Sequence, residues 1–164
     1  MERTTIIETA LSILNKMAEA RFDGQNTQYV NNMQPEVDFE QDKNLVNGFF
    51  DEGVGNIVTR IEPYVVSCEE TKPSEVVENE RAAESEGYVF SLRFPEDWKS
   101  NLLPSLEKKM ENYLVHYIIA QWLEKVSMAD TEYTMDKAKK LLGDIKWTCE
   151  VRKGKVHRIW NGTY

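Results

Sequence analysis

The chain is poor in the residues that define several classes of protein. It has two cysteines, Cys68 and Cys149, among 164 residues, which are too few for a disulfide scaffold and lack metal-ligand spacing. Charged residues interrupt its apolar stretches every few positions, so no run approaches the roughly 20 residues that cross a bilayer. Its first residues contain no apolar signal region with a cleavage site. We therefore expect an intracellular domain without a membrane segment.

Basic residues are outnumbered, and they are unevenly placed. The chain has 20 Lys and Arg against 28 Asp and Glu, a net charge of −8. Residues 146–164 carry five basic residues and one acidic residue, so this segment is +4 and residues 1–145 are −12. The negative charge of residues 1–145 disfavours binding to nucleic acid, because affinity for nucleic acid depends on neutralising its phosphates. A basic tail is typical of an arm that docks on an acidic surface, although a solvated tail would have the same charge.

Hydrophobic periodicity predicts four helices. Thr4 or Thr5 is expected to cap the first helix, and Pro104 suits the first turn of the third because its missing N–H is not needed there. The predicted helices run from Thr4 to Arg21, from about Asp42 to Arg60 or Ile61, from about Pro104 to Lys125 and from about Asp130 to Ile145. A polar stretch between the first two, Phe22 to Asn44, is predicted to be a long loop.

The third predicted helix is the most aromatic and is expected to form the centre of the core. Its residues Leu114, Tyr117 and Trp122 should pack against the second helix, on Phe49, Phe50 and Ile57. Gly53 and Gly55 lie inside the second helix, without a preceding strand or the third glycine of a dinucleotide fingerprint. Their presence therefore favours close approach of two helices over a phosphate loop.

Two segments between the second and third helices have strand character. They are Tyr64–Ser67 and Tyr88–Phe94, and the second alternates with Tyr88, Phe90, Leu92 and Phe94 on one face, the period of a half-buried strand. Residues 68–87 between them contain seven glutamates and two basic residues, a composition typical of a solvated linker. The sequence thus predicts an antiparallel ribbon joined by an acidic linker.

These assignments predict a mainly α chain in two parts. Residues 1–145 form a four-helix domain with a small β ribbon between helices 2 and 3, and residues 146–164 form an extended or hairpin basic C-terminal docking arm. The arm alternates aliphatic and basic residues and adds two large aromatics, the types that concentrate binding energy at interfaces. Its expected partner-binding residues are Val151, Arg152, Lys153, Lys155, Val156, Arg158, Ile159, Trp160 and Tyr164.

The sequence offers little for catalysis. His116 has Ile119 and Ala120 at the positions that would complete a metal face, so we interpret it as a hydrogen-bonded helix residue. Cys149 adjoins basic residues that could lower its pKa, yet a packed cysteine at a strand start is the favoured interpretation. We expect no catalytic residue, no metal site and no cofactor, and therefore not an enzyme.

Three segments together resemble a known family. They are Phe90–Trp98, Leu103–Met110 and Tyr113–Leu123, in which a strand and a proline–tryptophan corner lead into an aromatic helix, followed by a further helix and a basic C-terminal segment. Over about residues 88–158 this order resembles small structural proteins of Bacteroides-type phages and prophages. The architecture is also similar to that of tailed-phage head–tail connector (adaptor or neck) proteins.

The resemblance implies a connector-like fold and a structural role in the virion neck. Such proteins form a homo-oligomeric ring under the portal protein and insert a C-terminal arm into it, which implies further contacts with neck or tail proteins. DNA would be passing cargo without sequence-specific binding, and no membrane would be involved. The implied location is the virion, with the host cytoplasm during assembly. A helical adaptor or regulatory module binding one protein, a DNA-mimicking inhibitor and a small enzyme remain alternatives.

Overall fold

A computed structural model describes residues 1–21, 40–71, 86–126 and 131–153. Within these ranges the chain is mainly helical and has four α-helices and one two-stranded antiparallel sheet, which lies between the second and third helices. The elements are α1 (Arg3–Arg21), α2 (Glu40–Arg60), β1 (Val65–Thr71), β2 (Gly87–Leu92), α3 (Leu103–Lys125) and α4 (Thr131–Glu150), with short 3₁₀ turns at Glu62–Tyr64 and Ser100–Leu102. The predicted mainly α fold, with its ribbon between helices 2 and 3, is confirmed.

Helix α3 forms the centre of the core, as its composition predicts. It contacts each of the other three helices, and its buried residues cover most of its circumference, as expected for a helix surrounded by others. Leu114, Tyr117 and Trp122 are buried, and so are Phe50 and Ile57 of α2, whereas Phe49 is partly buried against the same cluster. The buried residues of α3 are Leu106, Met110, Tyr113, Leu114, Val115, Tyr117, Ile118, Ile119, Ala120, Trp122 and Leu123.

One glycine of α2 allows the close contact with α3. A Cβ atom on Gly53 would lie 2.8 Å from Leu114 Cδ2 and 3.1 Å from Tyr117 Cδ1, closer than packed carbon atoms normally approach. A Cβ atom on Gly55 would have no such neighbour within 4 Å. The predicted role in helix approach is therefore confirmed for Gly53, and it is wrong for Gly55.

The β ribbon has the expected half-buried face. Tyr88, Phe90, Leu92 and Phe94 are partly buried against the core cluster, whereas Val89 between them is 57% exposed. Antiparallel pairing continues from Thr71 opposite Gly87 to Val65 opposite Leu92, with an irregularity between Val65 and Ser67. Met1 and Glu2 pair with the start of the outer edge of β2, where Glu2 and Gly87 form an isolated antiparallel bridge.

Several predicted boundaries differ from the observed ones. Helix α1 begins at Arg3, so Thr4 and Thr5 lie in its first turn and do not cap it. Helix α2 begins at Glu40, inside the stretch predicted to be a loop, and β1 extends to Thr71, into the predicted acidic linker. The remainder of that loop, 22–39, and of that linker, 72–85, lies outside the described residues.

Helix α4 extends past its predicted end at Ile145 to Glu150. The expectation that an extended or hairpin arm begins at Lys146 is therefore wrong for residues 146–150, and so is the strand start at Cys149. Trp147 and Thr148 are of the aromatic and β-branched types that favour strands, but Ile145, Thr148 and Cys149 are all buried. The packing of these three buried residues on the core outweighs the weak local preference for a strand.

No helix among the described residues is long and apolar enough to span a membrane.

Candidate assembly surface

The first residues of the predicted docking arm are attached to the domain. The backbone of Arg152 pairs with Trp98 in an isolated β-bridge, and Lys153 N–H donates to the Asp97 carbonyl at 2.6 Å. The Arg152 guanidinium lies 3.5 Å from the Asp97 carboxylate and donates hydrogen bonds to the Cys149 carbonyl at 2.8 Å and to the Tyr64 hydroxyl at 3.2 Å. Arg152 therefore attaches the residues after α4 to the segment between β2 and α3.

An aromatic stack provides the surface on which this junction rests. The rings of Phe94 and Trp98 are stacked 3.8 Å apart at 10°, and Trp98 is buried. Its indole N–H donates to the Thr148 carbonyl at 3.0 Å, which ties the last turn of α4 to the segment before α3. The tail is thus fixed as far as Lys153.

The predicted partner-binding residues divide into two groups. Val151, Arg152 and Lys153 are described and lie at this junction, where the side chain of Arg152 is already paired within the chain. Lys155, Val156, Arg158, Ile159, Trp160 and Tyr164 lie outside the described residues. Their role as a docking arm stays a prediction, and that arm would begin after Lys153.

Two large aromatic side chains on α4 face solvent. Tyr133 is 70% exposed and Trp147 is 63% exposed. They are 14 positions apart, so at about 100° and 1.5 Å per residue they lie on one side of the helix, about 21 Å from each other. Lys137 and Lys140 lie between them at the same face, and both are exposed. We call Tyr133, Lys137, Lys140 and Trp147 the α4 stripe.

The stripe carries positive charge as well as aromatic rings, and the partly buried Asp144 lies on the same side of the helix. Lys109 of α3 places its ammonium 5.8 Å from the centre of the Trp147 ring, within range of a cation–π interaction, and donates to Thr148 Oγ1 at 2.8 Å. An exposed tryptophan flanked by lysines combines a rigid apolar surface with positive charge. Both favour contact with an acidic protein surface.

The described part of the chain also contains an acidic surface, formed by α2, the turn after it and β1. Residues 40–71 contain seven acidic and two basic residues, whereas residues 131–153 contain four acidic and six basic residues. The net charges are therefore −5 and +2. Glu52, Glu62 and Glu69 are exposed on the acidic part. Opposite net charges thus lie on different elements of one domain.

A buried arginine neutralises part of the acidic surface. Arg3 is 5% exposed, and its guanidinium lies 2.7 Å from Asp51, 3.1 Å from Glu70 and 3.3 Å from Glu86. It also lies 4.8 Å from the centre of the Phe50 ring. Arg3 therefore joins α1, α2, β1 and the residue before β2. The negative charge of this surface therefore comes from the exposed glutamates that Arg3 does not contact.

Sequence reasoning missed both Arg3 and the α4 stripe. Arg3 lies at a predicted helix start beside polar residues, and nothing in the local pattern shows that three distant carboxylates meet there. Tyr133 is a large aromatic residue, a type that hydrophobicity alone would place in the core, but the helix turns its side chain to solvent. The signal available for the stripe was the 14-residue spacing of Tyr133 and Trp147, which required knowing that the helix continues beyond Ile145.

The titratable groups that were considered for chemistry are perturbed by burial. Burial and, to a smaller extent, the nearby Lys137 lower the pKa of His116, because both disfavour the protonated imidazolium. Burial raises the pKa of the Cys149 thiol to about 11, since the apolar surroundings disfavour the thiolate. Cys149 is packed inside the domain, although in a helix and not at a strand start. Among the described residues no three His, Cys, Asp or Glu side chains cluster as metal ligands would.

Comparison with known proteins gives no relative: neither a protein-family model, nor a curated protein, nor a solved structure matches this chain.

Proposed function

We propose that this chain is a structural protein of a tailed-phage neck, which assembles into a ring that connects the portal to the tail. The observation that carries the proposal is the separation of charge, with the basic aromatic α4 stripe in one place and the acidic α2–β1 surface in another. The resemblance of about residues 88–158 to phage neck proteins is the reason for assigning the ring to the phage neck.

A contact between two different surfaces of identical chains is heterologous, and it generates a ring when the rotation between copies closes. Here the α4 stripe of one copy would contact the acidic α2–β1 surface of the next. Lys137 and Lys140 would face glutamates such as Glu62 and Glu69, while Tyr133 and Trp147 would supply the apolar contact. Charge complementarity of this kind fixes the pairing and excludes stripe-to-stripe contact.

The rest of the chain fits the same role. Residues 154–164 would extend from the anchored Arg152–Lys153 junction to a neighbouring copy, the portal or another neck protein. An acidic ring wall would repel phosphates and let DNA pass as cargo. The proposal assigns the chain no catalytic step or cofactor, and it places the chain in the virion, with assembly in the host cytoplasm.

Sedimentation of the purified chain tests the proposed contact. We expect association that rises with protein concentration and weakens with salt, because exposed charges are screened over about 8–10 Å at ordinary ionic strength. Lys137→Glu combined with Lys140→Glu should abolish it. Lys139→Glu is the matched control: it makes the same kind of charge change on the same helix, but its position lies about 100° or more from the centre of the stripe.

Mixing complementary variants separates a heterologous contact from other kinds. The Glu62→Lys/Glu69→Lys variant should not associate alone, but it should bind the Lys137→Glu/Lys140→Glu variant. Both contacts between the two variants then join opposite charges: the unchanged stripe meets the unchanged acidic surface, and the reversed stripe meets the reversed surface. The alternative function is a helical adaptor with a single protein partner, and it also uses the exposed stripe. That alternative predicts a monomer or at most a dimer at all concentrations, and such a result would contradict the ring.

A further inference from the structure

The outer edge of β2 is only partly covered by the N-terminal residues. Met1 and Tyr88 exchange two backbone hydrogen bonds, of 2.9 Å and 3.0 Å, and Arg3 N–H donates to the Glu86 carbonyl at 2.8 Å. These are the bonds of an antiparallel pair. Because backbone groups of a strand alternate between its two edges, those of Phe90 and Leu92 face the same way as those of Tyr88. Among the described residues, none pairs with them on that side.

A groove lies beside this open part of the edge. Its volume is about 270 Å³. Strand β2 forms one wall with Phe90 and Leu92, and α3 forms the other wall. The α3 residues that line it are Leu103, Leu106, Glu107 and Met110. Leu103 is 50% exposed at the mouth. An extended segment in this groove could bond to the edge while its apolar side chains contact α3.

We propose that this groove binds residues 154–164 of an adjacent copy as an additional strand on β2. The inference rests on the proposed ring and names the surface that receives the arm. A strand placed beside Phe90 and Leu92 would lie in line with Met1 and Glu2. It would continue the pairing that these residues begin and add to the existing sheet.

The composition of the segment matches the groove. Val156, Ile159 and Trp160 supply β-branched and aromatic side chains, which are typical of strands, and Arg158 could pair with Glu107 at the groove wall. Residues 154–164 number eleven and can extend about 36 Å at 3.3 Å per residue. An ordinary strand uses about five or six residues, so the other residues of the segment can link that strand to Lys153.

The charge arrangement favours a neighbouring copy as the source of the segment. In the proposed ring, α4 of one copy lies against α2 and β1 of the next. Its tail, which leaves the domain just after α4 at Lys153, would therefore emerge beside the β ribbon of that next copy. Strand β2 adjoins β1 in this ribbon, so its outer edge is only about two strand spacings of 4.8 Å away.

Hydrogen exchange of the full chain at a series of concentrations tests the inference. Once the chain associates, we expect hydrogen exchange at the amides of Phe90 and Leu92 to slow by a factor of about ten or more. The amide of Val89 is the internal control. Its N–H points toward β1, where Val89 pairs with Glu69, so it should be protected at every concentration. Leu103→Arg should remove the added protection by repelling the basic segment. Asn15→Arg, which adds the same charge at an exposed position of α1 outside both proposed contact surfaces, should leave it unchanged.

Each result decides the matter. Association in sedimentation without slower exchange at Phe90 and Leu92 overturns the groove but leaves the proposed ring intact. Slow exchange that is independent of concentration means that the chain's own tail fills the groove, which overturns binding between copies. If the chain does not associate, the ring fails, and a synthetic peptide of residues 154–164 is added to the full chain. Slower exchange at the two amides then supports recognition of the segment, and unchanged exchange overturns it.

Discussion

Replacing Gly53 and Gly55 separately by alanine tests the packing of α2 on α3. Both glycines lie inside the same helix, so each alanine should gain about 1 kcal/mol from helix propensity. Gly55→Ala meets nothing within 4 Å and should keep most of that gain. Gly53→Ala places a methyl group 2.8 Å from Leu114 Cδ2 and 3.1 Å from Tyr117 Cδ1. Overpacking of this kind costs about 1–3 kcal/mol.

The difference between the two variants isolates the steric cost, because the propensity gain cancels. We expect Gly53→Ala to have a free energy of unfolding about 1–3 kcal/mol below that of Gly55→Ala. Urea unfolding followed by circular dichroism measures this difference, and in thermal unfolding each kcal/mol corresponds to about 2–4 °C at this chain length. Combining Gly53→Ala with Leu114→Ala should recover part of the cost, since the clashing atom is removed. Equal stability of the two glycine variants would refute the close approach at Gly53.

Four further predictions concern the core and its titratable groups. Leu114→Ala should lower the free energy of unfolding by about 2–5 kcal/mol in urea titration, and a loss below about 0.5 kcal/mol would show that α3 is not central. Arg3→Met should cost about 1–3 kcal/mol, less than the 3–5 kcal/mol for a fully buried pair because its carboxylate partners are partly exposed, whereas Lys16→Met on the exposed side of α1 should be near neutral. The lowered pKa of His116 penalises its protonated form in the fold, so stability should fall as the pH drops below the ordinary value of 6.5, and His116→Gln should reduce that fall in denaturation measured across pH 5–7. Cys149, with its thiol pKa raised to about 11, should resist thiol reagents at pH 8 in the native chain and react at once in denaturant.

Long periodic elements could be predicted from the sequence, since one strong signal defines each of them. The apolar stripe of α3 and the alternation of Tyr88, Phe90 and Leu92 both lead directly to the observed burial. The end of α4 could not be predicted in this way. Trp147 and Val151 favour a strand locally, and only the fit of Thr148 and Cys149 against the core keeps the helix intact to Glu150.

The features of the assembly surface depend on contacts between residues far apart in sequence. Arg3 meets Asp51, Glu70 and Glu86 because three elements converge, and no spacing along the chain encodes that convergence. Arg152 was predicted to serve a partner from its charge and neighbours, yet its guanidinium is bonded to Tyr64 and Cys149. Charge alone could not separate a residue that anchors the tail from one that docks it.

The most direct test of the proposed neck ring is to look for this chain by electron microscopy in intact phage particles produced from the genome that carries its gene. The account predicts a closed ring of copies between portal and tail, with α4 of each copy against α2 and β1 of the next. Absence of the chain from the particle, or its presence as a single copy bound to another protein, would contradict the account.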